Sequence, residues 1–473
     1  MNWKTIFKSL KSRDMQKRLL IVVGLIVVYR FLAHVPVPLA DPTQLRSVLE
    51  SLVNSTDLGS FINLLSGGAL ASLSIVLVGL SPYITASVIT QLLTKAVPQL
   101  EELHKDGETG RRKIQQWTRL ITLPLAMLQS VAFIFILRQT ILAGNAGVDI
   151  TAHTSIAQWA LMVTAMTAGS MLLMWLGELM TEQGVGNGMS LLIFAGIVSG
   201  MPKTLGTFVN SLTNVPNESD KLHIFNWVTL PINWVALIIV SILTLLGLAA
   251  LYLIVKLNEA QRVVTVNYAK RVQGNRAYGG VTSILPIKLI TAGVIPVIFA
   301  VAFLALPAFV GQVLHSTSNP QLQQIGTNLI AWFQAPTSTT FATANLTTLL
   351  YPAMYFLLVV GFTYFYTSIV FNANEIAENL QKQGGFVANI RPGAQTEKYL
   401  AGVVNRLTLF GSLALGAIAV LPFVSEFLFA KFGIDASNLA IGGTGLLIVV
   451  SVTLETLRFI NSRALMVTYD QDY

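Results

Sequence analysis

Ten long, mostly apolar stretches, near 19–37, 72–97, 118–138, 157–177, 188–208, 233–255, 290–313, 345–371, 402–424 and 439–457, leave this chain few folds to choose from. Each approaches the ~20 residues that a helix needs to cross the hydrocarbon core of a bilayer. A soluble domain carries roughly 25% charged residues. Here charged residues are 11% of 473 and hydrophobic residues are 53%. A surface so poor in charge does not stay dissolved, so the chain reads as an integral membrane protein. Purely secreted, nucleic-acid-binding and disordered classes are excluded. Cysteine is absent, which removes disulfides, thiolate metal sites and cysteine nucleophiles.

Lys and Arg orient the spans, because they gather on the cytoplasmic side. With the N-terminus in the cytoplasm, 23 of the 30 Lys and Arg fall in the segments before residue 19, in 98–119, 256–288 and 372–406, and after 457. Only Arg46, Arg138, Lys203, Lys221 and Lys431 fall opposite. Both termini are therefore expected in the cytoplasm. Residues 1–18, with Lys4, Lys8, Lys11, Arg13, Lys17 and Arg18 among Trp3, Ile6, Phe7 and Leu10, read as a basic amphipathic helix on the membrane surface, not a cleavable signal. The two largest cytoplasmic segments, 256–288 and 372–401, are basic and too long for turns. They either satisfy the orientation rule alone or dock something large and anionic. The segments 209–232 and 314–344, rich in Asn, Ser, Thr and Pro, read as extracytoplasmic covers. Ten spans divide naturally into two halves of five, although no residue-level repeat is visible.

The stretch 58–97 has the wrong length. It holds no charge before Lys95, yet is too long for one span and too short for two. Its opening, Gly59-Ser60-Phe61-Ile62-Asn63-Leu64-Leu65-Ser66-Gly67-Gly68-Ala69-Leu70, is short, semi-polar and interrupted by a glycine pair. Glycine ends helices, and non-spanning backbone at membrane depth survives only inside protein or against a watery cavity. Two readings fit: a re-entrant helix tucked into a cavity, or an amphipathic helix on the outer surface. The first implies a channel or transporter. Chemistry is meanwhile scarce. The span centres hold no ionisable residue, and Glu178, Glu182, Glu375, Glu378 and Glu455 lie at cytoplasmic ends. The five histidines show no ligand spacing, and HExxH, GxxxxGK[ST] and GxSxG are all missing. Proteolysis, built-in ATP hydrolysis and proton-coupled carriage lose support. Passive passage, powered from outside the chain, remains.

Specific strings then point to a family. Residues 61–70 (FINLLSGGAL), 82–93 (PYITASVITQLL), 107–119 (GETGRRKIQQWTR) and 174–200 (MWLGELMTEQGVGNGMSLLIFAGIVSG) resemble the SecY/Sec61α family of protein-conducting channels. So do 266–271 (VNYAKR), 292–300 (AGVIPVIFA), 390–393 (IRPG) and 442–450 (GGTGLLIVV), in family order and on the expected sides. The resemblance runs from about Lys17 to Arg458. It implies an all-α membrane fold of ten spans, with halves 19–208 and 209–457, a tail 458–473 and a re-entrant plug at 59–70. It implies a bacterial SecY-type central subunit in the plasma membrane, not an enzyme and without cofactor or metal. Such a subunit passes unfolded polypeptides across the membrane and releases apolar segments into lipid.

By the same resemblance, Leu80, Ile84, Ile193, Ile298 and Ile448 match a pore ring. Thr85, Gln91 and Thr291 match the lateral gate. Lys270, Arg271, Arg276 and Arg391 match positions that dock a SecA-type motor ATPase or the ribosome. Small SecE-like and SecG-like subunits are implied as partners, with signal peptides and nascent chains as cargo. Physics is compatible with these roles. A ring of branched aliphatics seals around any sequence and resists ions by dewetting, though a lone span isoleucine is ordinarily a packing residue. The Ile-Arg-Pro-Gly turn holds the Arg391 guanidinium outward. Gln91 in an apolar span requires a hydrogen-bond partner. One departure stands out: Ile290 sits where family members often carry asparagine. A secondary carrier and a poreless ribosome-binding scaffold are the rivals, the first lacking a midplane ionisable site and the second any use for a plug or gate.

Overall fold

The computed structural model describes residues 13–37, 74–143, 156–213, 221–224, 228–268, 271–273, 276–278, 282–315, 317, 319–336, 346–431 and 443–471. Its helices are α1 (Arg13–Leu32), α2 (Ser81–Ala96), α3 (Pro98–Lys105), α4 (Glu108–Ala143), α5 (Ile156–Glu182), α6 (Gly188–Thr213) and α7 (Trp234–Glu259). They continue as α8 (Ile295–His315), α9 (Pro320–Phe333), α10 (Leu350–Val370), α11 (Ala373–Lys382), α12 (Ala394–Lys431) and α13 (Gly443–Gln471). Seven described helices are long and apolar enough to cross a bilayer, which makes this a multi-pass membrane protein. The other three apolar stretches hold α1, α2 and α6, which fall short of that measure. Helix α1 opens on Arg13, Asp14, Lys17 and Arg18, α2 has 16 residues, and the apolar part of α6 is Gly188–Pro202. The proposed plug, 59–70, and residues 1–12 lie outside the described residues.

The all-α expectation needs correcting, because three small sheets accompany the helices. β1 (Lys221–Ile224) and β2 (Val228–Asn233) form an antiparallel hairpin within the stretch read as a loop. On the opposite, basic side, β3 (Gln261–Tyr268) pairs with β6 (Thr282–Lys288) and also with β7 (Gly385–Val387), giving the order β6-β3-β7. A second pair, β4 (Arg271–Gln273) with β5 (Arg276–Tyr278), lies between them in sequence. The cause is burial. Alternate residues of a strand face one way, so Val264, Val266, Ile287 and Val387 share a small core with Leu400 and Val404 of α12. The two long basic segments are thus one folded unit.

The larger core lies among the helices and takes residues from α1, α2, α5–α8, α10, α12 and α13. Helix α9 packs on α8 through facing glycines. A Cβ at Gly326 would stand 2.5 Å from the His315 amide nitrogen and 2.6 Å from the Gly311 carbonyl oxygen.

Candidate functional site

The site begins at the tight turn between α5 and α6. Gly184 has φ +67°, a left-handed conformation that suits glycine. Asn187 then caps α6, its Oδ1 accepting from the Met189 amide at 3.0 Å. Thr181 clasps the turn from the other side. Its hydroxyl donates to the Gly177 carbonyl at 2.8 Å and accepts from the Gly188 amide at 2.9 Å. A Cβ on Gly188 would collide with the Gly177 carbonyl, so glycine is what allows α5 and α6 to approach so closely.

Beside this turn, residues from six helices line a cleft of about 370 Å³. Helix α2 contributes Tyr83, Ile84, Ser87 and Gln91, which fall on one helical face by spacing. Helix α6 adds Ile193, and α8 adds Ile295, Ile298 and Phe299. The polar wall comes from α4 and α5, where Arg119 donates to the Glu178 carboxylate at 2.8 Å. Gln91 donates to Ser87 Oγ at 3.1 Å, but its Oε1 is buried with no partner among the described residues. Such an acceptor costs free energy until something donates to it. The cleft is therefore apolar on one side, polar on the other, and holds no constellation suited to bond-making chemistry among the described residues.

A second cavity of about 400 Å³ adjoins it, sharing Ile295 and Tyr366. Asn258, Lys288, Thr291, Ser451, Glu455 and Arg458 supply its polar lining. Burial lowers the Lys288 ammonium below the ordinary lysine range, Arg458 adds to the effect, and Glu455 opposes it.

The sequence pattern of the SecY family matches residues 74–457. The chain belongs to the SecY family. Protein translocase subunit SecY of Corynebacterium glutamicum is 39% identical over 474 residues, covering 98% of each chain. Its counterpart from Streptomyces scabiei is 38% identical over 465 residues with the same coverage. Among solved structures, a protein-conducting channel is 17% identical, covers 94% of this chain and 91% of its own, and has a TM-score of 0.58. A structure concerned with the SecY plug domain and the closed translocation channel is 18% identical, with the same coverage and a TM-score of 0.60. At such identity these two establish a shared fold.

The five positions expected to form a ring are all buried in the central core: Leu80 and Ile193 at 2% exposure, Ile448 at 5%, Ile84 at 6% and Ile298 at 7%. Ile84, Ile193 and Ile298 line the cleft; Leu80 and Ile448 do not. The three gate positions are not brought together. Gln91 faces the cleft, Thr85 is buried outside its lining, and Thr291 lines the second cavity, donating to the Lys288 carbonyl at 3.3 Å. Ile290, the departure, is also in the second cavity. Of the residues expected to dock a partner, Arg391 is exposed on a turn between Asn389 (φ 64°) and Gly393 (φ 95°). Its carbonyl accepts from the Thr396 hydroxyl at 2.9 Å, which fixes the turn to the start of α12. Arg271 and Arg276 lie on β4 and β5, and Lys270 is outside the described residues. Sequence reasoning missed the Arg119–Glu178 pair, whose members are 59 residues apart and carry no local signal.

Proposed function

We propose that this chain is the pore subunit of a protein translocase in a bacterial plasma membrane. It passes unfolded polypeptides through its centre and releases apolar segments sideways into lipid. The observation that carries the reading is the convergence of Ile84, Ile193 and Ile298 on one cleft in a member of the SecY family. These residues come from three helices and from both halves of the sequence. The aliphatic ring closes around cargo without hydrogen bonds, so it holds no sequence too tightly, and a dry constriction resists ions.

In this reading all ten apolar stretches span, both termini are cytoplasmic, and the segment 59–70 plugs the outer funnel. Thr85, Gln91 and Thr291 belong to the lateral gate. The sheet side carries Lys270, Arg271, Arg276 and Arg391, which dock a SecA-type motor or the ribosome, while SecE-like and SecG-like subunits clamp the outside. The chain itself catalyses nothing. The cysteine-free sequence permits a clean test. A single cysteine at Ile84 should crosslink to a cysteine in an arrested secretory chain. Labelling that is equally strong from Ile242, an exposed residue of α7, would mean the chain does not pass through the centre.

A further inference from the structure

The sheet on the basic side is rooted in the helical core at a few atoms, and one of the helices that meet there, α13, carries a ring residue. Strand β3 begins two residues after α7 ends at Glu259. At that root Asn258, only 9% exposed, donates through Nδ2 to Ser451 Oγ at 3.1 Å. Arg458 donates in turn to the Asn258 backbone carbonyl. The Leu289 amide donates to the Ala260 carbonyl at 2.9 Å, closing the sheet where β6 leaves it.

Ser451 and Arg458 both lie on α13, as does Ile448. The positions 448, 451, 455 and 458 are separated by three or four residues and so share one helical face. From Ile448 to Arg458 that face is about 15 Å long. Its far end carries a ring residue and its near end is fastened to Asn258, at the end of α7 that leads into the sheet. Beyond Leu289 the chain turns through Gly293, at φ +63°, and enters α8, where Ile298 stands in the first turn. Both ring residues of the second half are therefore tied to the sheet, one by sequence and one by the Asn258 clamp.

We infer that Asn258 is a coupling residue, which delivers displacement of the docking sheet to Ile448 through Ser451 and α13. Packed helices shift as rigid units between discrete arrangements, and a hydrogen-bonded root transmits such a shift where a loose loop would absorb it. A merely structural clamp would instead set stability alone. The inference rests on the translocase reading, since it needs a partner that pushes on the sheet.

The test uses the full complex in proteoliposomes with its motor ATPase, reading motor affinity, resting ion conductance and motor-triggered conductance separately. Asn258→Leu keeps the bulk and removes the donor, and the freed Ser451 hydroxyl can bond to its own helix. Expected are wild-type motor affinity and resting conductance, with triggered conductance down roughly 5- to 10-fold, in the range of a typical coupling energy. Ser451→Ala should match it, Ser451→Thr should retain coupling, and the double variant Asn258→Leu/Ser451→Ala should be no worse than either single change. Unchanged triggered conductance in both single variants overturns the inference, and so does a loss that merely follows motor affinity. Failure of the wild type to respond to the motor would instead overturn the translocase reading itself.

Discussion

Replacing Ile298 by asparagine tests the seal most directly. Ile298 is 7% exposed, belongs to the central core, and lines the cleft with Ile84 and Ile193. Truncating a packed isoleucine costs about 2–5 kcal/mol. The new amide adds a penalty only where water is excluded. Both costs fall on the closed form, because opening lets water reach the amide. A differential of about 2 kcal/mol changes the open-to-closed ratio about 30-fold. A state open about 1% of the time becomes open for nearly a quarter of it. Planar-bilayer conductance of the purified complex should therefore rise at rest, and substrates with defective signals should pass. The control is Val297→Asn. Val297 is fully buried on the same helix but does not line the cleft. That variant should lose stability, yet the molecules that remain folded should conduct no more than wild type. Equal leakage from the two variants would refute the ring, leaving Ile298 an ordinary packing residue.

Three other outcomes follow from the geometry. Arg391→Glu should leave the complex intact but abolish substrate-stimulated motor ATPase in proteoliposomes, since it turns attraction at an exposed turn into repulsion; undiminished stimulation would remove Arg391 from the docking surface. Val266→Asp puts an unpaired carboxylate into the six-residue core under the sheet, where Val266 is 2% exposed. Motor binding should fall at least tenfold while detergent-solubilised complex is still recovered, and normal binding would show that docking does not need the sheet. Gly326→Leu should destabilise the complex by about 1–3 kcal/mol through overpacking, read as a lower melting temperature, because the added Cβ meets backbone atoms of α8; an unchanged melting curve would mean that α9 moves aside freely.

Hydropathy was a good guide to the long spans and a poor one to what lies between them. Helix α2 shows why. Its 16 residues carry Thr85, Ser87, Thr90, Gln91 and Thr94, polar enough to blur a span, and two of them, Ser87 and Gln91, line the cleft. The β3–β6 pairing did leave a trace, since Val264 and Val266 stand on either side of the polar Thr265 at the strand period. The basic residues on either side of it, Lys256, Arg262, Lys270 and Arg271, obscure that alternation. Helix α9 was equally readable in retrospect: Asn319 accepts from the Gln321 amide at 3.1 Å, just before Pro320 opens the helix. The isoleucines differ in kind. Nothing local separates Ile298 from Val297, and only family resemblance and the assembled cleft do so. The Arg119–Glu178 pair and the Asn258–Ser451 clamp depend on tertiary approach, which no local pattern encodes.

The order of strands β6-β3-β7 also has a consequence for how the chain is made. Synthesis runs from the N-terminus, so β3 and β6 emerge together and can zip along seven residue pairs at once. The other edge of β3 then waits unpaired while α8 and α10 are threaded into the membrane, because its partner Gly385–Val387 comes only after them. An open strand edge invites wrong pairing. The nascent protein thus carries a temporary adhesive strip on its basic side, and the arrival of three residues, Gly385, Phe386 and Val387, covers its end at Val266, Asn267 and Tyr268. That short strand completes the sheet before α12 and α13 have been made.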